Sequence, residues 1–179
     1  KIYIDGDKSL SIRWALLASQ AKGVSRAFKL LKSEDVLNTL KCLKKLGIKV
    51  VFKKNYCEVT GNGLNGFNYK DNLTLNAGNS GTLGRLLLGL LVHSKKKIKL
   101  IGDKSLSNRD FSRVTEPLKG FGAKFYPDKA NTLPLAILGS EFAHPIIYNE
   151  NKGSAQCKSS VMLASLNTGG KTVIKAKKS

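Results

Sequence analysis

Gly6-Asp7-Lys8-Ser9-Leu10-Ser11-Ile12-Arg13 is the stretch on which the reading of this chain turns, because its opening Gly-Asp-Lys-Ser-Leu-Ser returns unchanged at positions 102–107, closed there by Asn108-Arg109. The first copy follows an alternating, strand-like run, Lys1-Ile2-Tyr3-Ile4-Asp5, and precedes the apolar run Trp14-Ala15-Leu16-Leu17-Ala18. Lys8, Ser9 and Arg13 therefore cluster at a strand-to-helix junction. The unpaired N–H groups and positive dipole end of a first helical turn favour a phosphate or carboxylate, and Lys and Arg add two full charges. A plain Ser9 cap with two solvated cations fits the same residues.

Working outward, periodicity predicts a first helix fading near Lys22-Gly23 and a strand over 24–30. A second helix is then capped by Ser33-Glu34-Asp35, with Val36, Leu37, Leu40, Leu43 and Leu46 at helical spacing and Gly47 as its stop. Strands at 48–52 and 56–60 complete a unit of order βαβαββ, followed by the loop 61–66. The order recurs as a strand at 73–75, a helix at 80–92, a strand at 97–101, a helix at 113–121 and strands at 124–126 and 133–138. A third unit starts with a strand at 145–148, a helix at 154–166 and a strand at 172–174, and is incomplete. The expected units span about 1–62, 70–139 and 144–179 of a single domain.

The 179 residues, 41% of them hydrophobic, are enough for a real core. The longest apolar run, 86–92, is too short to span a bilayer, and no charged-then-apolar leader opens the sequence, so it reads as cytoplasmic with no membrane partner. Cys42, Cys57 and Cys157 are scattered without CxxC spacing and read as buried thiols, not as a disulfide framework or zinc site. The net charge of +19 raises nucleic-acid binding as a first hypothesis. Its spread, mostly Lys along the whole chain, argues instead for a general lysine bias. Arg is confined to positions 13, 26, 85, 109 and 113, and Arg13, Arg85 and Arg109 fall in or beside Gly/Ser-rich junctions, which suits small anionic ligands.

Three leading helices thus have distinctive starts: Lys8-Ser9, Asn79-Ser80-Gly81-Thr82 and Gly153-Ser154-Ala155-Gln156. If the units pack around a common axis these tips meet, and hydroxyls, backbone N–H groups, Gln156, Lys8, Arg13 and Arg109 line one positively biased hollow. The segment 78–85 lacks the GxxxxGK spacing of a P-loop. His93 and His144 have no partner spacing for metal or nucleophilic chemistry, and His93 reads as a helix end. Trp14 and the 86–91 run read as core, and Asp7, Asp103 and Asp110, each beside a cation, as structural ion pairs.

Four segments together resemble the 5-enolpyruvylshikimate-3-phosphate synthase family: residues 6–13; Asn79-Ser80-Gly81-Thr82-Leu83-Gly84-Arg85; 102–109 with Arg113-Val114-Thr115-Glu116-Pro117-Leu118; and Gly153-Ser154-Ala155-Gln156-Cys157-Lys158-Ser159. The resemblance covers nearly the whole chain in order, whereas the family's enzymes are more than twice as long. It implies an α/β fold, an enolpyruvyl transferase-like domain of repeated βαβαββ units forming an inside-out α/β barrel. This chain would be the N-terminal domain, with the third unit incomplete and the second domain absent. The family transfers the enolpyruvyl group of phosphoenolpyruvate to the 5-hydroxyl of shikimate 3-phosphate and releases phosphate, in aromatic amino-acid biosynthesis. It uses no cofactor and no metal. Implied partners are the two substrates and the missing C-terminal domain, in a monomer without nucleic acid.

Position by position, Lys8 resembles the lysine that contacts both substrates and takes part in catalysis, and Ser9 and Arg13 the pair holding the shikimate ring and carboxylate. Ser154, Ala155 and Gln156 match the shikimate-phosphate tripeptide, with Gln156 also near phosphoenolpyruvate. Gly81 and Arg109 match phosphoenolpyruvate contacts, with Asn79 on the same loop and Thr82 beside shikimate 3-phosphate. Asp110 stands where a proline is usual, and Ala155 lacks a hydroxyl found in part of the family. The family's general base and further cations belong to the second domain, so the resemblance implies that this chain binds shikimate 3-phosphate weakly and does not turn over. Two other readings are a related transferase acting on a nucleotide sugar, which would carry Lys-Asn where Lys8-Ser9 stands, and a basic nucleic-acid-binding module.

Overall fold

Asp7, not Ser9, starts the first helix: its side chain accepts a 2.7 Å hydrogen bond from the Leu10 N–H, and α1 runs Lys8–Gln20. The computed structural model describes residues 6–151 and 153–176, so the strand expected over 1–5 lies outside the described residues. Asp103 repeats the cap on the Leu106 N–H at 2.7 Å, yet α4 is the single turn Lys104–Ser107. Identical hexapeptides thus nucleate identically, and their helices differ in length because of the residues downstream. Ile12, Ala15, Leu16 and Ser19 give α1 a buried face at helical spacing, while Asn108-Arg109-Asp110 offers α4 none. Among the described residues Asp7 and Asp103 act as helix caps, and Asp110 supports a turn, accepting from the Ser112 N–H at 2.7 Å and the Ser112 hydroxyl at 2.6 Å.

Strand β1 (Lys22–Phe28) begins two residues earlier than periodicity suggests. Helix α2 (Glu34–Lys45) buries Val36, Leu40 and Leu43 as expected, but its cap residue Ser33 makes no capping bond and its hydroxyl is buried without a partner. Glu34 and Asp35 in the first turn supply the negative charge that helix end favours. Strands β2 (Lys49–Phe52) and β3 (Tyr56–Asn62) close an antiparallel sheet of order β1-β3-β2.

The next sheet is mixed. Strand β4 (Leu73–Asn76) crosses through α3 (Gly81–Leu90) to a parallel partner, β5 (Ile98–Ile101). After α4 and α5 (Ser112–Lys119), β6 (Lys124–Pro127) and β7 (Leu135–Leu138) add antiparallel strands in the order β4-β5-β7-β6. The last pair, β8 (Ile147–Glu150) and β9 (Val173–Ala176), is again parallel and joined through α6 (Ala155–Ser165). Helices α3 and α6 are therefore equivalent crossovers, each starting at the carboxyl end of a strand, where open α/β sheets collect ligands.

Helix α3 is buried at every position except Arg85, which makes it the centre of the core. It packs chiefly on α6 and also touches α1 and α5. A Cβ at Gly89 would overlap the Ser160 carbonyl oxygen, so glycine is what lets α3 and α6 approach this closely. The helix ends in a 3-10 turn, Leu91–His93, and the His93 Nε2 lies 3.0 Å from the Ala164 carbonyl oxygen, a second tie to α6. Trp14 packs against the core and 86–91 lie within it, as periodicity implies, and all three cysteines are free and buried.

Candidate anion-binding site

Each crossover helix is entered through a glycine in the left-handed region, Gly78 at φ 57° and Gly153 at φ 67°, ahead of a serine cap. Ser80 Oγ accepts from the Leu83 N–H and Ser154 Oγ from the Cys157 N–H, both at 3.2 Å. Capping orients the remaining first-turn N–H groups outward, and the packing of α3 on α6 sets the two tips side by side.

Gln156 bridges them. Its amide oxygen accepts from Arg85 Nη1 at 2.9 Å, and its amide nitrogen donates to Thr82 Oγ1 at 3.1 Å. Arg85 stands over the Phe111 ring, 5.3 Å from its centroid, and its Nη2 reaches the Asp110 carbonyl at 3.5 Å. Burial, helped by the neighbouring charges of Arg109 and Arg113, pulls the Arg85 pKa down from the usual guanidinium range, though it stays a cation. Sequence reading placed Arg85 beside a junction without giving it a role. Its isolation as the half-buried charge of an otherwise apolar helix was the available signal.

Helix α1 joins through Arg13, more than a turn from its start, whose Nη1 donates to the Ser9 carbonyl and whose Nη2 donates to Ser159 Oγ on α6, each at 3.2 Å. Arg109 reaches Asn79 Oδ1 at 3.2 Å from the turn after α4. Gly81 lies between the two guanidinium groups: a Cβ there would stand 2.8 Å from Arg85 Nη1 and 3.2 Å from Arg109 Nη1. Direct contacts join Thr82, Arg85 and Gln156, join Arg109 to Asn79 and join Arg13 to Ser159, with Gly81 beside Arg85 and Arg109 and with Ser9 and Ser154 at helix starts. Lys8, on the first turn of α1, is drawn into an ion pair with Asp35 of α2 at 3.2 Å, a partner the sequence did not reveal. Ala155 is exposed at the α6 tip.

Arg26, by contrast, is outside the site, tied to Glu58 across β1 and β3 at 2.8 Å. Beside α6, a cavity of about 220 Å³ is lined by Arg113, Tyr148, Glu150 and Cys157. Burial pushes the Tyr148 phenol up to about 12, with Cys157 and Glu150 adding to the shift.

An α/β domain in which the starts of two crossover helices meet beside several guanidinium groups has the chemistry that suits small anions. Comparison narrows that class. The family model for EPSP synthase (3-phosphoshikimate 1-carboxyvinyltransferase) matches residues 1–179. A 3-phosphoshikimate 1-carboxyvinyltransferase of Streptococcus pyogenes serotype M2 (strain MGAS10270) is 40% identical over 174 residues, 97% of this chain and 40% of that protein. The solved EPSP synthase of Acinetobacter baumannii superposes with a TM-score of 0.93 at 32% identity, over 99% of this chain and 40% of that one. The chain belongs to the EPSP synthase family, and it spans about 40% of the length of these relatives.

Proposed function

We propose that the protein to which this chain belongs transfers the enolpyruvyl group of phosphoenolpyruvate to the 5-hydroxyl of shikimate 3-phosphate in the cytoplasm. The chain is its N-terminal domain, an inside-out barrel of repeated βαβαββ units closed by a second domain. The hydroxyl gives up its proton as its oxygen bonds to the central carbon of phosphoenolpyruvate, and the methylene carbon of phosphoenolpyruvate gains one. Phosphate then departs as a proton leaves the new methyl group, restoring the double bond. Arg13 and Ser9 hold the shikimate carboxylate and ring, and Ser154, Ala155, Gln156 and Thr82 its phosphate side. Lys8, Asn79, Gly81, Arg109 and Gln156 hold phosphoenolpyruvate, with Lys8 touching both substrates and taking part in the reaction. The proton-moving groups are assigned to the rest of the enzyme.

The observation that carries this reading is Gln156 bonded at once to Arg85 and Thr82, while Arg13 crosses to Ser159. These contacts tie α3 to α6 at their starts and α1 to α6 one turn on, which supports a shared site, since two polyanions can lie side by side only where cations and helix starts offset their repulsion. Supplied with both substrates, the full-length enzyme should release phosphate and enolpyruvyl product in equal amounts. The 179-residue chain should bind shikimate 3-phosphate without forming product. Steady turnover by the chain alone, or none by the full-length enzyme, contradicts the proposal.

A further inference from the structure

Helix α6 carries two adjacent serines with different tasks. The Ser160 hydroxyl, fully buried, donates to the Arg85 carbonyl at 2.8 Å and registers α6 against the α3 backbone. Ser159 faces the other neighbour: its oxygen takes an N–H from Arg13 Nη2 at 3.2 Å, across 146 positions of sequence. Because Arg13 Nη1 is held by the Ser9 carbonyl of its own helix, the planar guanidinium is gripped from α1 and α6 together. A flexible arginine fixed at two of its N–H groups has one plane in which to offer the rest, and a planar fork is what a carboxylate reads.

We infer that Ser159 is a positioning residue that sets the plane of the Arg13 guanidinium and so makes the site selective for a carboxylate-bearing ligand. The inference rests on the proposed reading, in which Arg13 holds the shikimate carboxylate. Ser159 lies three residues after Gln156, on the same side of α6, so the helix that bridges to α3 at its tip aims the α1 arginine one turn later. Losing this side-chain tie leaves the α3–α6 packing and the Ser160 bond intact, which separates positioning from folding.

Two measurements on the 179-residue chain test the assignment. In calorimetric titrations, Ser159→Ala should weaken shikimate 3-phosphate by about tenfold, the scale of one hydrogen bond to a charged group. Ser159→Thr, which keeps the hydroxyl, should bind within about twofold of the parent. An analogue with the carboxylate reduced to a hydroxymethyl group should bind the parent and Ser159→Ala equally well. In guanidinium proton–nitrogen spectra without ligand, Arg13 should show hindered rotation in the parent and in Ser159→Thr, and free rotation in Ser159→Ala. Equal weakening of both ligands by Ser159→Ala, unchanged affinity, or unchanged Arg13 rotation overturns the inference. A parent chain that binds neither ligand overturns the underlying reading along with it.

Discussion

Arg85 and Gln156 sit 71 residues apart and meet at 2.9 Å, guanidinium to amide oxygen, which makes the one charged residue of the central helix the clamp on the tip of its neighbour. The clamp fixes which end of the Gln156 amide points toward Thr82 and which toward Arg85. Replacing Arg85 by Lys keeps the charge but gives up the planar fork and the stacking over Phe111. Affinity for shikimate 3-phosphate should fall about tenfold, the scale of one hydrogen bond to a charged group, with circular dichroism unchanged. Calorimetric titration of Arg85→Lys checks this, and affinity equal to the parent's would show that Gln156 is oriented by Thr82 alone.

Two glycines of α3 should respond in opposite ways to alanine. At Gly81 the added methyl meets the ends of two flexible side chains, Arg85 and Arg109, which can withdraw. Gly81→Ala should keep the parent melting temperature within a few degrees and weaken phosphoenolpyruvate in the full-length enzyme more than shikimate 3-phosphate. At Gly89 the methyl meets the Ser160 backbone, which cannot move without parting α3 from α6. That variant should lose at least about 3 kcal/mol, the upper range for overpacking. Thermal and denaturant unfolding of the pair distinguishes them.

The repeated hexapeptide offers an internal control on capping. Removing either aspartate costs about 1 kcal/mol of cap energy. In the 13-residue α1 the loss is absorbed by the buried face, so Asp7→Ala should lower the melting temperature slightly and leave the helix in place. In the four-residue α4 the cap is a large share of what holds the turn, so Asp103→Ala should melt it and release Arg109 from Asn79. Amide hydrogen exchange over 104–109 and 8–20 reads the difference, and equal protection in both variants would contradict it.

Burial pushes the Cys42 thiol up to about 11 and raises that of Cys57, and all three thiols are shielded. At pH 8 the folded chain should therefore react with a thiol reagent only as fast as it unfolds, and all three should react at once in denaturant. Tyr148 adds an alkaline signature. Its folded pKa of about 12 lies above the ordinary value of 10.0, so its stabilising share is complete below pH 10.0 and is lost as pH climbs through 12. Ultraviolet titration of tyrosinate should lose its most alkaline step in Tyr148→Phe.

Much of this was legible in the sequence, and the part that was not has a physical reason. The repeat, the 3.6-residue spacing of α2 and the apolar run of α3 located helices because those signals are local. The junction at 79–82 and the tripeptide at 154–156 could be linked only through the order of units, yet Thr82 and Gln156 are in contact. Arg85, Ser159 and Asp35 were missed as functional neighbours because each acts on a residue far along the chain, and no periodicity encodes a side chain's partner. Ser33 stands at the N-cap position of α2 as expected, without the side-chain bond that its type suggests, and the acidic residues after it occupy the helix start. Asp110 accepts from the Ser112 N–H and hydroxyl in the turn into α5, and Arg109 reaches Asn79.

The convergence of three helix starts is tested most directly by a proton–nitrogen titration of the labelled chain with shikimate 3-phosphate. The account predicts that Ser9, Thr82 and Gln156 shift together, saturate, and share a single dissociation constant. Response of one tip alone, or midpoints that differ from tip to tip, would mean that the starts of α1, α3 and α6 do not form one site.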